Sequence, residues 1–157
     1  MRVAIVSTYP PRACGIATFS RDLRDALLAD DGVSAVDLAA IVRDESIEQE
    51  PEVVVRILQE RGGDYAAAAR VLERRGDDVV ILQHEYGIFG GPDGAHVLLL
   101  ARELRQPMVL TLHTVLASPS ARQAETLGAL CDLATLVCVF TETARRMMLD
   151  ADRKSVV

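Results

Sequence analysis

The feature that most constrains this chain is the alternation of two hydrophobic periods along its length. Apolar runs of strand length recur at Val3–Val6, Val36–Val42, Val53–Ile57, Val79–Leu82, Met108–Leu112 and Leu136–Phe140. Between most of them the period lengthens to the i, i+3, i+4 spacing of an amphipathic helix. It does so at Ile16, Phe19, Leu23, Ala26 and Leu27, at Tyr65, Ala68, Ala69 and Leu72, at Val97, Leu100, Ala101 and Leu104, and at Ala124, Leu127 and Cys131. The short runs show little strict alternation, the pattern of strands covered on both faces. Strand and helix in repetition predict an α/β fold with a Rossmann-like, doubly wound, mostly parallel sheet.

Local signals set several boundaries. Ser118 before Pro119 predicts an N-cap with proline at the first helical position, Gln106–Pro107 closes the preceding helix, and Thr141 caps the last one. The acidic stretch "RDESIEQEPE", Arg43–Glu52, reads as a surface excursion. After Thr141 the chain starts a helix and stops in polar residues, without a further strand to complete a second nucleotide-binding half. The expected division is a domain over 1–149 and a tail over 150–157, a truncation point before a missing domain.

With 157 residues, half of them apolar, the chain has the size and composition of one globular domain. Its formal charge is −6 and no block of lysine or arginine is long enough to track a phosphate backbone, so nucleic acid is not the expected partner. Aromatics make up 4% of the residues and tryptophan is absent, which argues against a platform of stacked rings. The three cysteines, Cys14, Cys131 and Cys138, lack the paired spacing of a zinc knuckle or redox dithiol and read as reduced cytoplasmic thiols. No apolar run approaches the roughly 18 residues of a membrane span.

In open parallel sheets ligands bind outside the carboxyl ends of the strands. That rule selects four loops: Ser7–Gly15, His84–Gly94, His113–Ser118 and the turn at Thr141. The first, "STYPPRACG", runs through two prolines and Cys14 to Gly15 at a helix start, where free N–H groups and the dipole favour a phosphate. The second, "HEYGIFGGPDG", offers His84, Glu85 and Tyr86 and then four glycines, Gly87, Gly90, Gly91 and Gly94. In the third, His113 stands where its strand leaves the sheet and can contact a substrate hydroxyl or developing charge. Each feature has a plain structural alternative, a helix-start glycine, a long exposed turn or a strand-end histidine. Dinucleotide, Walker and serine-hydrolase motifs are absent, and His84 and Glu85 do not open an H-E-x-x-H metal motif because position 88 is Ile88.

The ordered motifs "RVAIVSTYPPRACGIATFSRDL", "DVVILQHEYGIFGG", "PMVLTLHTVL" and "VFTETARRM" resemble the N-terminal, acceptor-side domain of family 4 retaining glycosyltransferases of the GT-B fold. The resemblance implies a two-domain enzyme that transfers a sugar from a nucleotide-diphosphate donor to a carbohydrate or lipid-linked acceptor, without a metal or other cofactor. It assigns Gly15, with Cys14 before it, to the donor phosphates and His113 to the transferred sugar as the catalytic contact. His84, Glu85, Tyr86, Gly90 and Gly91 fall on the acceptor side. Many relatives carry a glycine pair where Cys14 and Gly15 stand, so Cys14 should narrow the approach to phosphate. Without the donor-binding domain the chain should be inactive alone, and the full-length enzyme cytoplasmic or peripheral at a membrane. A freestanding binding or assembly module, forming a homo-oligomer without catalysis, is the competing expectation.

Overall fold

The computed structural model describes residues 1–46 and 50–150. Residues 47–49 of the acidic excursion, and all but the first residue of the expected tail, lie outside them. Six strands, β1 (Arg2–Ser7), β2 (Ala35–Val42), β3 (Val53–Leu58), β4 (Val79–His84), β5 (Met108–Leu112) and β6 (Leu136–Val139), form one sheet. Their order is β3-β2-β1-β4-β5-β6 and every pairing is parallel. Five helices accompany them: α1 (Gly15–Leu28), α2 (Gly62–Arg75), α3 (Val97–Ala101), α4 (Ala121–Leu133) and α5 (Glu142–Asp150). The fold is therefore the doubly wound α/β class that the two periods imply. Three strands stand on each side of the switch between β1 and β4, so both halves of the winding are present and β6 closes the second.

Register explains the two hydrophobic clusters. Ile5 pairs with Leu38 and Ile81, so their side chains share one face, and Leu23 and Leu27 of α1 pack on that face. On the other face Ala4, Val6, Val80, Leu82 and Leu110 meet Tyr65 and Leu72 of α2, Val97 and Leu100 of α3, and Leu130 of α4. β2 is buried along nearly its whole length, whereas Ile81 and Val109 remain partly exposed. Coverage on both faces thus holds for the strands beneath α1 and weakens beyond them.

Two expected boundaries move. α4 is capped by Ser120, not Ser118: the Ser120 hydroxyl accepts from Gln123 N at 3.1 Å, and the Gln123 side chain accepts from Ser120 N at 2.8 Å. This reciprocal capping box satisfies two free donors, which a cap at Ser118 followed by Pro119 could not match. The helix expected through Leu104 ends at Ala101, and tighter turns lead to Gln106 and Pro107. Leu104 still packs on the core, so the periodicity persisted beyond the α-helix. Thr141 caps α5 as expected, its hydroxyl accepting from Ala144 N at 3.1 Å.

Opposite the loops that matter for ligands, the amino edge of the sheet buries an ionic cluster. Asp37 accepts from Arg2 at 2.7 Å and is held by both nitrogens of an Arg75 fork. Burial alone would raise its pKa, but Arg75 and Arg2 bring it below the ordinary carboxylate range. Asp77 has weaker support: Arg2 Nε lies 3.9 Å from one of its oxygens, but both oxygens are buried without a hydrogen bond, and burial, with Asp37 beside it, pushes its pKa up to about 6. A group whose pKa is raised on folding contributes stability that is full below its unfolded value and lost as pH rises through the folded one. Asp77→Asn is therefore expected to stabilise the chain above pH 6 by roughly 1–2 kcal/mol, with no gain below about pH 4. Urea unfolding at pH 7.5 and pH 4 measures the difference, and an equal effect at both would refute it.

Candidate functional site

The first loop is stiffened from within. Arg12 N donates to Tyr9 O at 3.1 Å and Cys14 N to Arg12 O at 3.0 Å. Tyr9 is buried and its hydroxyl donates to Glu52 at 2.7 Å, tying the loop to the start of β3. Cys14 serves as the N-cap of α1: its sulfur accepts from Ala17 N at 3.4 Å and lies 3.2 Å from the Thr8 hydroxyl. The thiol is thus turned inward as a cap, which its residue type did not announce. Gly15 and Ile16 keep N–H groups without partners among the described residues. A Cβ on Gly15 would meet nothing within 4 Å.

His113 sits one residue past β5, and four neighbours fix it. Its backbone N donates to His84 O at 3.0 Å, and its ring Nε2 lies 2.7 Å from the side-chain oxygen of Gln83. Its ring packs edge-on against Phe19 of α1, with centroids 4.9 Å apart, and at 5.0 Å against Phe140 past β6. Phe19 and Phe140 also meet each other at 5.5 Å. One ring cluster therefore joins the opening turns of α1, the β5 loop and the β6 loop. Burial holds the His113 pKa below the ordinary value, partly offset by Glu85, so the imidazole is neutral at pH 7. A cavity of about 250 Å³ opens beside it, lined also by Thr114, Phe140, Thr141 and Met147.

Gln83 is the residue beside His113 that motif reading passed over. It is fully buried at the end of β4, and its side-chain nitrogen has no partner. With its oxygen turned to His113, Nε2 of the ring carries the proton and Nδ1 is left as an acceptor. Gln83→Leu is expected to remove that preference and give a mixture of tautomers, read from ring nitrogen shifts by NMR. An unchanged ratio would show that Gln83 does not set the tautomer.

The glycine-rich loop divides by role. His84 is buried, stacked on Phe89 with ring centroids 5.8 Å apart and edge-on to Tyr86 at 5.1 Å. Burial, with His113 nearby, pushes its pKa down to about 4, so it is a neutral packing residue, not the open polar group expected. Glu85 accepts from the Thr114 hydroxyl at 2.6 Å and from Tyr86 N at 2.7 Å, which links this loop to that of His113. The Tyr86 hydroxyl is buried without a partner. Gly90 and Gly91 owe their identity to packing: a Cβ on Gly90 would fall 1.7 Å from Gln59 O, and one on Gly91, whose φ is +75°, would fall 2.5 Å from the His96 ring. His96 flanks α3 and packs on Tyr65, with centroids 5.7 Å apart. Among the described residues no group of three His, Cys, Asp or Glu is placed to hold a metal ion.

Fold and loops together define a Rossmann-like α/β domain whose polar, helix-start and aromatic groups gather at the switch point of the sheet, where this class binds ligands. Neither any protein-family model nor any curated protein matches the sequence. Solved structures do match. An alpha-glucosyltransferase in complex with UDP aligns with a TM-score of 0.67 and 16% identity over 100% of this chain and 40% of that one. An alpha-glucosyltransferase with UDP-glucose and DNA containing an abasic site gives 0.65 and 16% over 99% and 41%, and one with UDP and a mismatched 13-mer DNA gives 0.63 and 16% over 90% and 37%. The chain spans about two fifths of the length of these proteins. The likeness establishes a shared fold with glycosyltransferase structures.

Proposed function

We propose that this chain is the acceptor-side half of a retaining glycosyltransferase, inactive alone, that moves a sugar from a nucleotide-diphosphate donor to an acceptor hydroxyl. The observation that carries this reading is the meeting of the open α1 N-terminus and His113 through the Phe19 ring at one sheet edge. The Gly15 and Ile16 N–H groups face the donor phosphates, where the dipole favours negative charge. His113 contacts the transferred sugar through Nδ1, and Glu85 and Tyr86 belong to the acceptor wall. In the reaction the anomeric carbon's bond to the diphosphate breaks, a bond to the acceptor oxygen forms, and the acceptor proton leaves on the diphosphate oxygen. Helix ends and basic side chains neutralise the diphosphate, so a metal is not required.

Support for the donor class comes from the fold shared with proteins bound to UDP or UDP-glucose. Two of those structures also contain DNA. The −6 charge of this chain favours a smaller acceptor. The test is to express the product of the whole reading frame that contains this sequence and assay it against nucleotide sugars with EDTA present. Transfer with retained anomeric configuration is expected. Absence of turnover and of nucleotide-sugar binding across the panel would overturn the proposal and favour a binding module.

A further inference from the structure

The cavity beside His113 continues into a second space. Two of its lining residues, Val115 past β5 and Met147 of α5, also line a groove of about 340 Å³ between α4 and α5. Leu116 of the β5 loop, Leu127 and Gly128 of α4 and Met148 of α5 complete most of its wall. Every side chain in that lining except Asp150 is apolar. Val115 and Leu127 pack on the core without being fully buried, and Ala117, Pro119 and Ala124 are exposed. A polar cavity and an apolar groove therefore meet at shared residues.

The two linings select different chemistry. With His113 stand the hydroxyls of Thr114, Thr141 and Thr143. Thr114 donates to Glu85 at 2.6 Å and Thr141 accepts from Ala144 N at 3.1 Å, so two of the three hold fixed positions. Groups of this kind suit the hydroxyls of a small polar head. The groove offers no side-chain donor, and its single side-chain acceptor is a carboxylate. A sugar buried there would leave hydroxyls unpaired, whereas a hydrocarbon chain has none to satisfy. Size narrows the choice further. One turn of an α-helix, about 10–12 Å across, fills roughly 400–600 Å³, more than the groove holds. A single alkyl chain fits, and methionine side chains adapt to its path.

We propose that cavity and groove form one site for an amphiphile, with its hydroxyl-bearing head beside His113 and its hydrocarbon chain between α4 and α5, and that the acceptor of the transferred sugar has this form. The word acceptor rests on the glycosyl-transfer reading, but amphiphile binding does not. The amphiphile is taken singly from solution: the groove has room for one chain, and the −6 charge of the protein opposes attachment to an anionic lipid surface.

The experiment is an NMR titration of the 157-residue chain with hexyl, heptyl and octyl glucoside below their micelle concentrations, beside methyl glucoside and uncharged phosphatidylcholine vesicles. Octyl glucoside is expected to shift both the Met147 methyl and the His113 ring signals. Each added methylene should tighten binding by about two- to fourfold, as burial of the chain requires. Ala124→Glu, an exposed change that puts a charge on the groove wall, should weaken octyl glucoside by about tenfold or more. Ala121→Glu, exposed on the same helix outside the groove, should alter it less than about twofold. Shifts at Met147 without shifts at His113, or a gain per methylene below about 1.5-fold, would overturn the joined site. Binding unaffected by Ala124→Glu, in a chain of unchanged circular dichroism, would do the same. Vesicle binding as tight as that of octyl glucoside would give the groove to a lipid surface, and a dimer dissociated by Ala124→Glu in sedimentation equilibrium would give it to a second copy. Either result overturns the proposal. In the product of the whole reading frame, equal KM for methyl and octyl glucoside would overturn the tail-bearing acceptor and leave glycosyl transfer standing. Octyl glucoside binding without nucleotide-sugar turnover would instead count against the transferase reading alone.

Discussion

Gly90→Ala is expected to destabilise the chain by about 3 kcal/mol or more, a large share of the roughly 5–15 kcal/mol by which a domain is ordinarily stable. The added Cβ would lie 1.7 Å from Gln59 O and 2.6 Å from the carbonyl carbon, inside the closest approach that atoms tolerate. The obstacle is backbone, which cannot swing aside as a flexible side chain could. Gly90 also stands in a buried chain of hydrogen bonds: its N–H donates to the Tyr65 hydroxyl at 3.0 Å, and that hydroxyl donates to Gln59 O at 2.8 Å. Any shift that relieves the clash must break one of these, and a buried unpaired donor costs about 1–3 kcal/mol in its turn. Gly87→Ala makes the contrast. Gly87 has a φ of +84° but nothing within 4 Å of a Cβ, so its cost is about 1 kcal/mol of backbone strain alone. Urea unfolding of the two variants decides the matter, and equal costs would show that the Gln59 contact yields.

That contact also shows where reading the sequence stops. The six strands were legible because a buried parallel strand writes itself as a contiguous apolar run. The ends of β4 were less so, since Gln83 and His84 are buried yet polar, and what compensates them comes from rings and hydrogen bonds contributed by other elements. The glycines of the second loop could be seen, but not that Gly90 and Gly91 press against Gln59 and His96. Cys14 as a helix cap was hidden by residue type, because sulfur is a weak acceptor and capping rules rank oxygen side chains. His113 was legible from its position at a strand end, whereas its partner Gln83 was not.

On the glycosyl-transfer reading, His113→Ala is the substitution expected to cost activity most in the product of the whole reading frame, about 100-fold or more in kcat with a smaller change in KM. The range is that of removing one positioned polar group from a site where charge develops. The structural loss is narrower: the Phe19 and Phe140 ring contacts and the Gln83 hydrogen bond go, and stability should fall by about 1–2 kcal/mol. Folding and turnover therefore separate, and circular dichroism with steady-state kinetics on one preparation measures both. The pH dependence adds a sign. Burial holds the His113 pKa below its ordinary value of 6.5, so the ring is neutral near pH 7 and gains a proton only in more acid solution. Protonation would place a hydrogen on Nδ1 and remove the ring's one acceptor. Turnover should accordingly decline in solution more acid than the ordinary imidazole range, and His113→Ala should lose that limb along with most of its rate. A variant that keeps both the limb and at least a third of the wild-type kcat would assign the chemistry to another group and leave His113 as packing between α1 and β5.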